Sequence, residues 1–306
     1  MVALQQMCIL LAVMIIGYIT YRVGYLTELV NEKISNIVVN VANPALILSS
    51  VTNLSETKTK DLTETVIAAV VTYGILLLCS FVLPILLRVS KSEYSVYQLM
   101  TLFNNVGFMG LPILQSLYGN AALLIAAVFL FFYNVLIYTF GVHILTKGAK
   151  PCKNNLKTVL KGLLNPGTVS CMAVLAIVFT HFQIPAMGCS IITMLGNLTA
   201  PLSMMCIGAS FGGFRMKTLL GNGRLLSLSL LKLLPVPILG VLLLRFLGFT
   251  PLVVNVSMIV LATPIGSMTT MMAQQYHADS QLTAKGVALS TLLSMITIPL
   301  LTAILG

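Results

Sequence analysis

Ten apolar stretches, each near the twenty residues that a bilayer-spanning helix needs, constrain this chain more than any other feature. They run approximately over 4–21, 34–52, 64–87, 97–117, 121–145, 163–181, 188–211, 225–247, 252–274 and 283–304. Hydrocarbon offers no water to backbone N–H and C=O groups, so only helices or closed barrels cross it. Runs of this length joined by short polar loops predict an all-α polytopic membrane protein of ten transmembrane helices. Composition agrees, with 58% hydrophobic residues, 8% charged residues and a mean hydropathy of +1.01. Soluble domains carry about 25% charged residues.

The net charge of +10 does not mark a nucleic-acid binder. Basic residues occupy short loops between apolar runs and show no groove pattern with interleaved aromatics. Their distribution sets orientation instead. With the N-terminus outside, the cytoplasmic loops hold Arg22, Lys33, Arg88, Lys91, Lys147, Lys150, Lys153, Lys157, Lys161, Arg215, Lys217, Arg224 and Lys285, against Lys58, Lys60 and Arg245 outside. Both termini are expected outside. The first apolar run lacks a basic lead-in and a small-residue cleavage site, so a retained span is expected rather than a signal peptide. The six cysteines are scattered, with no spacing that suits a disulfide framework or a zinc site.

Within the fourth stretch lies Asn104-Asn105-Val106-Gly107-Phe108-Met109-Gly110-Leu111-Pro112. Gly lowers helix propensity by about 1 kcal/mol and Pro by roughly 3. Pro112 also deprives the Phe108 carbonyl of its helical donor. Irregular backbone at membrane depth persists only where protein or a wet cavity surrounds it. The ninth stretch carries a counterpart in Thr263-Pro264-Ile265-Gly266. Counting back 12 residues from Tyr118 and from Tyr276, which stand 158 apart, reaches Val106 and Pro264. Asn40-Val41-Ala42-Asn43-Pro44 in the second stretch and Asn197-Leu198-Thr199-Ala200-Pro201 in the seventh repeat an Asn-x-x-x-Pro spacing at an offset of 157. Five spans per half place the second half upside down. The expected organisation is therefore a first five-helix repeat, 1–146, a basic cytoplasmic linker, 147–161, and an inverted second repeat, 162–306. Paired interruptions of this kind point to the solute site of secondary transporters.

The candidate site follows. Half-helices that restart after a break present unpaired N–H groups and a positive dipole end, which favour anions. Asn105, Val106, Gly107, Pro264, Ile265 and Gly266 would line it, with Gly110 and Pro112 ending the half-helix. Pro44 and Pro201 free the carbonyls of Asn40 and Asn197, so Asn40, Asn43 and Asn197 form polar corners that serve either as capped kinks or as cavity lining. The carbonyls of Phe108 and Val260 are open to a cation or a proton donor. Lys232 is the one ionisable residue clearly inside a span, either a charge partner for the solute or a snorkelling side chain. The aromatics Phe129, Phe131, Phe132, Tyr133, Tyr138 and Phe140 are expected to serve packing. No nucleophile set, spaced carboxylate pair or His cluster supports catalysis or metal binding, so the chain is expected not to be an enzyme.

Asn105 to Pro112 followed by Tyr118-Gly119 resembles the fourth-span signature of the auxin efflux carrier family. Pro264-Ile265-Gly266, Ala273, Tyr276, Ser290 to Ser294 and Pro299 resemble its ninth and tenth spans. The resemblance implies ten helices in two inverted repeats, with the fourth and ninth broken and crossing near the midplane. It also implies elevator-like transport, with Asn105 at the solute carboxylate. Kinship to the bile acid:sodium symporter superfamily leaves H⁺ and Na⁺ both open as coupling ion.

The expected function is secondary transport of a small organic anion across a bacterial cytoplasmic membrane. The bilayer and the solute are the expected partners, a homodimer a further expected assembly, and no cofactor is expected. A receptor or channel on the same fold is the alternative; no signalling domain is expected, and saturable counterflow separates carrier from channel.

Overall fold

The computed structural model describes residues 2–52, 60–146, 164–180, 182–212 and 221–306; the expected linker 147–161 lies outside the described residues. Every regular element among the described residues is helical. Among the described residues, five helical segments are long and apolar enough to cross a membrane, namely Leu62–Leu86, Val106–Thr146, Ala186–Gly212, Gly223–Phe246 and Ser280–Leu305. Cys8–Val23, Pro166–Thr180 and Pro251–Ala262 are shorter apolar helices. The stretches expected over 34–52, 97–117 and 252–274 each divide into short helices, for reasons their Pro and Gly residues supply.

In chain order the helices are α1 (Val2–Val23), α2 (Glu28–Ile37), α3 (Asn43–Ser49), α4 (Lys60–Leu86), α5 (Tyr94–Leu102), α6 (Leu111–Leu136), α7 (Val142–Thr146) and α8 (Pro166–Thr180). Then follow α9 (Ala186–Gly196), α10 (Thr199–Gly212), α11 (Gly223–Leu233), α12 (Pro235–Phe246), α13 (Pro251–Ala262), α14 (Ser267–Gln275) and α15 (Ser280–Leu305). Single π-helical turns stand at Val38–Ala42, Val106–Gly110 and Ile137–Gly141. The first two end two residues before Pro44 and Pro112 respectively. The cause is shared: a proline ring collides with the carbonyl four residues back and cannot donate to it. Widening the preceding turn moves that carbonyl aside, and the N–H of Asn43 reaches back to Val38 O. Pro201 needs no such adjustment, because it falls in the first turn of α10, where a missing N–H is harmless. Within α6, Gly119 takes φ 68° and ψ −157°, so the helix is broken by a kink at Gly119. Glycine alone adopts that conformation without cost.

The chain packs into two compact units, one comprising Met1–Val66, Val106–Phe131 and Asn165–Phe214, the other Ile67–Asn105, Phe132–Leu164 and Arg215–Gly306. In the first unit α10 lies along α1 with glycines at the contact. A Cβ on Gly17 would strike the Met205 carbonyl, one on Gly208 the Met14 carbonyl, and one on Gly212 the Tyr21 ring. Apolar helices have no hydrophobic drive to associate in lipid, so close backbone approach through small residues does that work. Gly196 on α9 plays the same part against α3, its added Cβ standing 3.0 Å from Leu46 Cα. In the second unit α15 packs on α5, α11, α13 and α14. There Gly286 makes room for Met100, whose Sδ would stand 2.6 Å from an added Cβ. Leu99, Met100, Val256, Met258, Ile259 and Val260 are fully enclosed in that core.

Candidate functional site

The second unit brings together the two unwound segments that sequence alone sets 158 residues apart. Helix α5 ends at Leu102 and Phe103 turns extended, at φ −104° and ψ 111°. Helix α13 ends at Ala262 and Thr263 turns extended, at φ −65° and ψ 145°. Asn104 and Ile265 then pair as an isolated antiparallel β-bridge. The N–H of Asn105 donates to Pro264 O at 2.7 Å and the N–H of Gly266 donates to Phe103 O at 2.9 Å. Two broken helices thereby satisfy each other's backbone where no water is available. The N–H of Ile265 donates to Ser290 Oγ on α15 at 3.0 Å.

Glycine is required at position 266 by this approach. A Cβ there would stand 2.9 Å from Asn104 O and 3.4 Å from the Tyr133 hydroxyl oxygen. Tyr133 also meets Phe103 edge to face, with centroids 5.7 Å apart and planes at 89°. It therefore packs as its aromatic run suggests, and its hydroxyl also reaches the bridge.

Side chains close both C-terminal helix ends at the bridge. Asn104 Nδ2 donates to Val260 O at 2.6 Å and to Leu261 O at 3.3 Å. Val260 O, the carbonyl that Pro264 frees, also accepts from Thr263 Oγ1 at 2.8 Å. That acceptor is thus occupied from within the protein. Lys232 is fully buried in the last turn of α11. Its Nζ donates to Met100 O at 3.0 Å, to Thr101 O at 2.6 Å and, closely, to Asn104 Oδ1. It does not snorkel; it caps α5, whose terminal carbonyls carry the negative end of the helix dipole.

The neighbouring Asn105 is different. It is 6% exposed, and its side-chain amide has no hydrogen-bond partner among the described residues. Beyond the bridge, α14 starts at Ser267 with no side chain capping its N-terminus. An unpaired amide and an uncapped helix N-terminus are the donors that an anionic oxygen seeks.

The remaining predicted residues lie in the first unit. There the π turns Val38–Ala42 and Val106–Gly110 pack on each other and on α10. Asn43 is buried with Oδ1 unpaired, and Gly107 makes room for it, since an added Cβ would stand 3.2 Å from Asn43 Nδ2. Val106, Gly110 and Pro112 are buried beside this turn. Asn40 is exposed and donates its amide to Asn36 O at 2.8 Å, a local back-bond. Asn197 is exposed, accepts weakly from Gln115 Nε2 at 3.5 Å, and lines an open cavity of about 480 Å³ with Thr52, Cys189, Ser190, Thr193 and Met194. The structure thus groups Asn105, Pro264, Ile265, Gly266 and Lys232 in one unit, and Asn43, Val106 and Gly107 in the other. Asn104, Ser290 and Thr263 complete the bridge; each stands in a motif quoted from sequence, but none is named there as a site residue. Only the Asn-Asn pair gave a signal for the first of them.

Residues 2–302 match the family described as membrane transport protein. An uncharacterized transporter of Methanocaldococcus jannaschii is similar, at 23% identity over 98% of each chain. The chain belongs to the membrane transport protein family, which includes the auxin efflux carriers, and it is a multi-pass membrane protein.

Proposed function

We propose, with membership of that transporter family as the premise, that this protein is a secondary carrier of a small organic anion, a carboxylate in the first instance. The observation that carries the reading is the backbone bridge that joins Asn105, whose side-chain amide makes no hydrogen bond among the described residues, to Pro264, in the segment that leads through Gly266 into the uncapped start of α14. Neutral donors and a dipole end select a carboxylate without a permanent counter-charge facing it. The side chain of Lys232 is spent on holding α5, so it orients the site rather than meeting the solute.

The wider architecture belongs to the same reading. Ten spans in two inverted five-helix repeats would set the breaks of the fourth and ninth spans across each other, and the Asn104–Ile265 bridge supports that crossing. Elevator-like movement, in which one body carries the solute and another stays fixed, is supported by the division of the chain into two separately packed units. The basic-loop bias supports both termini outside a bacterial cytoplasmic membrane.

The test is a thermal-shift screen of purified protein against mono- and dicarboxylates, repeated with Asn105→Ala. A ligand that binds only the folded state raises stability by about 2.7 kcal/mol at a hundred times its Kd. Wild type is expected to respond saturably to at least one carboxylate, and Asn105→Ala to lose the response while keeping its unliganded Tm. A response of equal size in both proteins would remove Asn105 from the site.

A further inference from the structure

Lys232 is the one Lys, Arg, Asp or Glu among the described residues that is buried. An ammonium has three N–H donors and no acceptor. Three oxygens receive them, Met100 O, Thr101 O and Asn104 Oδ1. Two are the terminal carbonyls of a half-helix that stops at membrane depth, and the third is an amide oxygen on the unwound segment just after it. Hard oxygens at the C-terminal end of a broken helix make a seat for a monovalent cation. Here the cation is attached to α11 by a covalent stem. None of the three oxygens belongs to a carboxylate; each offers a dipole and not a counter-charge.

We infer that the Lys232 ammonium is a tethered replacement for a coupling cation, occupying an oxygen seat that would otherwise take Na⁺. The inference rests on the carrier reading for its importance but not for its test. In such a protein the seat is filled throughout the transport cycle. Binding, folding and flux therefore need no Na⁺, and the positive charge beside the bridge travels with the protein. Removing the side chain beyond Cβ would leave the three oxygens around a void, with room for Na⁺ and the water needed to complete its coordination.

Thermal stability of purified protein, with NaCl exchanged for choline chloride at constant ionic strength and no carboxylate present, tests this. Wild type is expected to show the same Tm in both salts. Lys232→Ala is expected to melt lower in choline and to gain a saturable rise of roughly 3–6 °C at ten times the Na⁺ dissociation constant. Lys232→Met fills the void without a charge and is expected to melt low in both salts. Saturable stabilisation of wild type by Na⁺ over choline would overturn the inference, as would a Lys232→Ala protein indifferent to Na⁺. If Lys232→Ala cannot be purified in either salt, the wild-type comparison alone decides. Failure here leaves the anion site to its own carboxylate titration.

Discussion

Asn104 and Asn105 are chemically identical neighbours with opposite tasks, and truncating each to alanine separates them. Asn104→Ala removes two neutral donations, to Val260 O at 2.6 Å and to Leu261 O at 3.3 Å, and the amide acceptor of the Lys232 ammonium. Hydrogen bonds between membrane helices average about 0.6 kcal/mol each. A bond to a charged group contributes about 1.5–3 kcal/mol, and leaving a buried ammonium donor unmade is the costly part. Val260 O keeps its Thr263 hydroxyl donor at 2.8 Å, which holds the loss there at the low end. The expected cost is about 3–4 kcal/mol, a large fraction of the roughly 5–15 kcal/mol that holds a domain folded. Asn105→Ala deletes an amide that makes no side-chain hydrogen bond among the described residues. Its expected cost is below about 1 kcal/mol, because no partner is orphaned. Thermal melts in detergent at one fixed scan rate compare the two. Asn104→Asp sharpens the comparison, since a carboxylate would pair with Lys232 yet face the Val260 and Leu261 carbonyls with no donor. It is expected to melt below wild type. Equal melting temperatures for Asn104→Ala and Asn105→Ala would refute the reasoning, as would an Asn104→Asp protein as stable as wild type.

Two further substitutions test the packing that holds the site. Gly266→Ala puts a Cβ 2.9 Å from the Asn104 carbonyl, a backbone atom that cannot rotate away. A loss of about 1–3 kcal/mol is expected, read as a lowered Tm with any carboxylate response weakened. Gly208→Val drives a branched side chain into the Met14 carbonyl where α10 crosses α1. It is expected to lower the yield of monodisperse protein on size-exclusion chromatography, whereas Gly223→Ala, where an added Cβ meets nothing within 4 Å, leaves it unchanged.

Much of this architecture is legible in sequence because it rests on local chemistry. Pro44 and Pro112 mark where a helical carbonyl loses its donor, the gap between the stretches 97–117 and 121–145 marks the interruption at Gly119, and the offset of 158 between Tyr118 and Tyr276 aligns the two breaks. What the sequence leaves open depends on partners far along the chain. Lys232 reads as a snorkelling or solute-facing residue until the last turn of α5, at Thr101, 131 residues away, is seen to need a cap. Sequence singles out Asn105 over Asn104 without the geometry that separates them, since consecutive residues of an extended segment face opposite ways. Only the position of α13 decides which one is occupied. The Asn-x-x-x-Pro echo is real as spacing, yet its members diverge: Asn40 bonds back to its own helix, while Asn43 stays buried with an unpaired oxygen.

Counterflow in proteoliposomes tests the central claim most directly. Vesicles preloaded with the unlabelled carboxylate that stabilises the protein best are diluted into the labelled compound, with wild type and Asn105→Ala reconstituted to equal density. A saturable transient overshoot is expected for wild type and none for Asn105→Ala, although that variant is expected to melt at the wild-type temperature. An overshoot of equal height in both would contradict the claim.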